Sequence, residues 1–122
     1  MENIRLETVV RDACGISVLG VTGEIDVHTA KEFKEAVDAL IGAGQKHVVL
    51  DMRQVTYMDS SGFGTLLSAT KRVRPRGGSV NLAGCTSAIN RIMHITRLDS
   101  IFGVFDSVEE ACSAVGSDQP EA

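Results

Sequence analysis

His47-Val48-Val49-Leu50-Asp51-Met52 is a short, almost continuously apolar run, the composition of a strand at the centre of a sheet covered on both faces. Soon after it the period changes. Behind Asp59-Ser60-Ser61, Phe63, Leu66, Leu67 and Val73 recur at helical spacing, and Asp and Ser are favoured N-cap residues. Pro75 and the Arg76-Gly77-Gly78 turn end that helix. The alternation continues on both sides. Upstream, Ala30, Phe33, Ala36, Val37, Leu40 and Ile41 form one apolar helical stripe, with Thr29 and Glu32 in capping-box spacing and Gly42 and Gly44 as the stop. Before it, Ile4-Arg5-Leu6-Glu7 with Val9-Val10, and Ile16-Ser17-Val18-Leu19-Gly20-Val21, flank a turn at Asp12-Ala13-Cys14-Gly15 and read as a hairpin or two neighbouring strands. Downstream come the strand Ser79-Val80-Asn81-Leu82-Ala83 and a helix capped by Thr86 and bearing Ile89, Ile92 and Met93. A short strand at Ile101-Phe102-Gly103-Val104-Phe105 follows, then a helix opened by Ser107 and Glu110 that buries Val108, Ala111, Cys112 and Val115. The order β-β-α-β-α-β-α-β-α implies an α/β fold with a mostly parallel, mixed sheet and about four helices.

The 122 residues make one domain, expected over residues 3 to 115, with a tail at 116–122 that has no apolar content and reads as disordered. Hydrophobic residues are 43% and charged residues 23%, as in a globular chain with a core of its own. Twelve Lys and Arg against 16 Asp and Glu leave a net charge of −4. That balance argues against a non-specific nucleic-acid binder or an anionic-membrane binder, because both need a basic surface. No apolar run reaches the ~18 residues of a membrane span and the first residues lack a signal-peptide core, so the expected location is cytoplasmic. Cys14, Cys85 and Cys112 are odd in number and widely spaced, and are expected as free, largely buried thiols rather than metal ligands.

Enzyme signatures fail one by one. There is no H-E-x-x-H and no phosphate-binding P-loop; Met58 stands where a nucleophile elbow needs glycine; Gly62-x-Gly64 lacks the third glycine of a dinucleotide fingerprint. His28, His47 and His94 fall in three different elements. Glu24 and Asp26 lie two apart at a strand end, so they share one face, where a solvated rim is the simplest reading. A hydrolase with Ser60 as nucleophile, His28 as base and Asp26 or Glu24 as orienting group is the competing chemistry. No metal site, cofactor or catalytic residue is expected.

What remains is Tyr57-Met58-Asp59-Ser60-Ser61-Gly62-Phe63-Gly64. Asp and Ser here serve as caps whatever else they do. Two glycines in the first helical turns, however, each cost on the order of 1 kcal/mol relative to Ala, and suggest a bare surface for a partner's backbone. Ser61, Thr65, Ser68 and Arg72 would line an outward face that is polar but almost uncharged, which suits docking.

Gly23-Glu24-Ile25-Asp26-Val27, Val49-Leu50-Asp51-Met52 and Met58-Asp59-Ser60-Ser61-Gly62 together resemble the bacterial anti-sigma factor antagonists, the single-domain STAS proteins of partner-switching systems. The resemblance extends over nearly the whole chain, including Gly77-Gly78, Thr96-Arg97-Leu98 and Ser107-Val108-Glu109-Glu110-Ala111; Phe63 departs from it, where Leu is commoner. It implies a STAS fold and a non-enzymatic protein that binds an anti-sigma factor, itself a serine kinase, and so frees a sigma factor. It implies phosphorylation of Ser60, with Ser61 as runner-up, reversal by a metal-dependent serine phosphatase, and a partner-contacting carboxylate at Asp26. Asp59, Ser61, Gly62, Gly64, Thr65 and Ser68 complete the expected contact surface. A STAS adaptor in signalling or transport with a different protein partner is the alternative.

Overall fold

A computed structural model describes residues 5–116; residues 3 and 4 of the expected domain and positions 117–122 of the expected tail lie outside them. Five strands, β1 (Leu6–Ala13), β2 (Ile16–Ile25), β3 (His47–Met58), β4 (Ser79–Ala83) and β5 (Gly103–Phe105), form one sheet in the order β1-β2-β3-β4-β5. β1 and β2 are an antiparallel hairpin, and β2, β3, β4 and β5 are parallel. The helices are α1 (Ala30–Gly42), α2 (Ser60–Val73), α3 (Ser87–Ile95) and α4 (Val108–Val115).

Each crossover steps to the next strand in the same direction, so right-handed connections stack α1, α2 and α3 on one face of the sheet. The main core lies there, with Phe33, Val37, Leu66, Ile89 and Met93 packed on Leu19, Leu50, Met52 and Leu82. α4 covers the other face, where Val108, Ala111, Cys112 and Val115 meet Ile16, Val18, Val49 and Ala83. Residues 48–52 are fully or almost fully buried because they sit between these two layers. Since the strand order never reverses, the sheet has no switch point of the kind at which doubly wound folds hold small ligands.

Several elements differ from their sequence reading. β3 continues six residues past Met52. Register shifts against β2 between Gly20 and Thr22 and again between Gly23 and Glu24 insert extra residues in β3, and such bulges destroy the two-residue period by which a strand is recognised. Ile101 and Phe102 precede β5 rather than opening it. Ile92 points outward, while Ile89 and Met93 are buried. The hairpin turn is only Cys14-Gly15, both at positive φ, as a tight primed turn requires. That turn leaves Cys14 exposed, against the expectation of largely buried thiols; Cys85 is half-buried and Cys112 buried.

Candidate functional site

Parallel pairing brings the C-terminal ends of β2 and β3 side by side. Ile25 is opposite Met58, and the Asp59 N–H donates to the Ile25 carbonyl at 3.0 Å. The turn leading from β2 into α1 therefore abuts the start of α2, and Asp26 and Asp59 become neighbours across two chain segments.

The first turn is tied off by its own polar groups. The Asp26 carboxylate accepts the backbone N–H groups of His28 (2.8 Å) and Thr29 (3.1 Å). The Thr29 hydroxyl accepts the Asp26 N–H at 2.9 Å and donates to the Glu24 carbonyl at 2.7 Å. Thr29 thus closes the turn that precedes α1 instead of capping its N–H groups; the capping box expected with Glu32 does not form. Arg5 bridges Glu24 (2.8 Å) and Asp26, so the two acids do share a face, but as a clamp on the strand end. Arg5 escaped the sequence reading because only the β1–β2 register brings it there, 19 and 21 residues from its partners. Gly23 makes the approach possible: at φ +117° a Cβ would lie 2.0 Å from the Arg5 carbonyl oxygen. Asp26 is 7% exposed. Burial opposes its charge, yet the two N–H donors and the Arg5 guanidinium outweigh burial and hold its carboxyl below the usual range.

The second turn is built differently. Asp59 is the N-cap of α2 and accepts the Ser61 N–H at 2.9 Å, while the Gly62 and Phe63 N–H groups reach the Asp59 carbonyl at 3.1 and 3.3 Å. Ser60 is exposed, and its hydroxyl has no hydrogen-bond partner among the described residues. Ser61 is half-buried, with its carbonyl accepting from the Thr65 hydroxyl at 3.1 Å.

Along α2, Gly64 and Ser68 are exposed and Thr65 is half-buried. Arg72 closes the outward face in an ion pair with Asp38, which also holds Lys34. The two early glycines prove unlike. A Cβ on Gly64 would meet nothing within 4 Å, whereas one on Gly62 would lie 2.5 Å from Met58 Cγ and 2.8 Å from Ile25 Cγ2. Gly62 is therefore small so that α2 can seat on the strand ends, not to offer bare surface. Phe63 is buried as expected. Sequence reasoning gave no role to Val27 and Tyr57, which are 69% and 50% exposed beside these turns.

The hydrolase arrangement is not assembled. Asp26 receives the His28 backbone rather than its ring. His47 is buried at the start of β3, and His94 is exposed in the last turn of α3 beside Asp99. No cluster of three or more potential metal ligands occurs among the described residues, and no helix there is long and apolar enough to cross a membrane.

A model of the STAS domain matches residues 5–111. The anti-sigma-B factor antagonist of Listeria monocytogenes serovar 1/2a is 34% identical over 102 residues, 84% of this chain and 89% of the relative. The crystal structure of an anti-sigma factor antagonist from Mycobacterium paratuberculosis superimposes with a TM-score of 0.78 at 30% identity, over 90% of this chain and 93% of that one. The Bacillus cell fate determinant SpoIIAA in its phosphorylated form gives 0.68 at 19% identity, over 90% and 100%, a likeness of fold alone.

Proposed function

The chain belongs to the STAS domain family, a family of non-enzymatic binding domains, and from that premise we propose that it is an anti-sigma factor antagonist controlled by phosphorylation of Ser60. Unmodified, it binds an anti-sigma factor that is also a serine kinase, and the sigma factor is released. A metal-dependent serine phosphatase restores the modified protein. The chain acts in the cytoplasm and contacts neither nucleic acid nor membrane.

The observation that carries this reading is the contrast at the α2 N-terminus: Asp59 is engaged in the cap, while the adjacent Ser60 hydroxyl is exposed and unpaired. A kinase can reach it without unfolding anything. The contact surface runs from Ser60, Asp59 and Ser61 along Gly64, Thr65 and Ser68, with Asp26 holding the neighbouring turn at its edge and Gly62 seating the helix from beneath.

Phosphorylation adds about −1.5 to −2 charge to a helix end whose N–H groups and dipole favour an anion, so the fold survives it. The docked partner does not. The phosphate arrives beside Asp59 and near Asp26, and a surface that receives a neutral hydroxyl meets repulsion and desolvation. A coupling of about 3 kcal/mol is enough to weaken binding more than a hundredfold.

The test is incubation with ATP and the anti-sigma factor kinase encoded in the same genome, followed by peptide mapping. Phosphate on Ser60 supports the assignment. Phosphate on Ser61 alone would move the switch by one residue, and phosphate on neither would favour an unregulated STAS adaptor.

A further inference from the structure

Two of the three thiols lie at the same end of the sheet, opposite Ser60. Cys14 occupies the hairpin turn between β1 and β2 at φ +55°, a conformation uncommon for any residue but glycine, and it is exposed. Cys112 is buried in α4, where that helix crosses the hairpin end. Its thiol donates to the carbonyl of Ala13, the residue next to Cys14, at 3.6 Å. Cys14 is thus one residue along the chain from the atom that Cys112 contacts, and it is near enough to help raise the Cys112 thiol. Cys85 is elsewhere, packed at the edge of the main core on the other face of the sheet.

We propose that Cys14 and Cys112 form an oxidation site that takes low-molecular-weight disulfides and converts them into an intramolecular staple between the β1–β2 turn and α4.

The exposed thiol reacts first. The Cys14 thiolate attacks one sulfur of the small disulfide; a new S–S bond forms, the old one breaks, and one small thiolate leaves. Cys112 then gives up its proton to solvent and attacks the Cys14 sulfur, expelling the second small thiolate. The protein pair loses two electrons and two protons, and the reagent is reduced to two thiols. Burial, with the Cys14 thiol alongside, pushes the Cys112 thiol up, so the second step is the slower and accelerates as pH rises. The covalent loop spans roughly 100 residues, a length at which cross-linking strongly restricts the unfolded chain. β2 separates this site from Ser60 by about 30 Å at the usual rise per strand residue, so the staple fastens α4 without touching the docking surface.

The decisive experiment treats the full chain with excess oxidised glutathione and maps its peptides without reduction. The expected product is a monomer with the Cys14 peptide joined to the Cys112 peptide and Cys85 still alkylatable. Its melting temperature should be raised by roughly 10 °C and restored by dithiothreitol. Cys85→Ser should behave identically, and Cys14→Ser should show neither the link nor the rise. A glutathione adduct that persists on Cys14 while Cys112 remains a thiol would overturn the proposal. So would a Cys14–Cys14 dimer, or a linked product with a lowered melting temperature.

Discussion

The turn after β2 and the turn after β3 lie against each other and use the same residue types, an Asp with Thr or Ser, to opposite ends. In the first, both the acid and the hydroxyl are engaged: Asp26 holds two N–H groups and Arg5, and Thr29 both accepts and donates. In the second, Asp59 alone serves the fold and leaves Ser60 free. The Ser60 hydroxyl is left open to modification because its neighbour Asp59 carries the structural task. The first turn is rigid framework for the second, and replacing its acid should perturb the fold before it perturbs recognition.

The largest expected effect lies under the second turn. Gly62→Ala would drive a methyl group into Met58 and Ile25 and should cost about 1–3 kcal/mol in a urea titration, the usual range for overpacking; an unchanged midpoint would mean that α2 is not seated as described. Ser60→Asp should leave stability alone and weaken binding of the anti-sigma factor roughly tenfold, about half the effect of phosphate on a free-energy scale, because a carboxylate carries about half its charge. Equal affinity would erase the distinction between the turns.

Asp26→Asn should do the reverse, lowering the melting temperature by a few degrees. Its effect depends on pH. The folded carboxyl titrates below the unfolded one, so its stabilisation is complete above the unfolded value near ~4 and is lost as pH falls through the folded value. The variant should therefore converge on the parent in acid. A difference that persists unchanged at the lowest pH would assign Asp26 some other task. The smallest effect has the opposite sign: Gly64→Ala meets nothing and should stabilise α2 by about 0.5–1 kcal/mol, measured in the same titration.

The order of elements, the apolar helical stripes and the caps at Asp59, Thr86 and Ser107 were legible in the sequence, because each depends on residues within a few positions of one another. What was not legible depends on register. The second half of β3 was hidden by bulges that become visible only against β2. The Arg5 clamp, the inward task of Gly62 and the contact of Cys112 with Ala13 beside Cys14 all join residues that only the assembled sheet brings together. The motif implies a partner contact at Asp26, and nothing local shows the structural task it also has, with two backbone donors and Arg5 converging on it. Ser60 was legible as a cap-region serine, but that its hydroxyl stays unpaired is a property of the folded turn.

Phosphate at Ser60 is proposed to act on the interface and not on the fold. Affinity for the anti-sigma factor should be measured by titration calorimetry with the unmodified protein and with protein phosphorylated at Ser60, alongside the melting temperature of each. The expected result is a loss of affinity greater than about a hundredfold with melting temperatures that agree closely. Equal affinities, or a loss of affinity accompanied by a collapse in melting temperature, would contradict it.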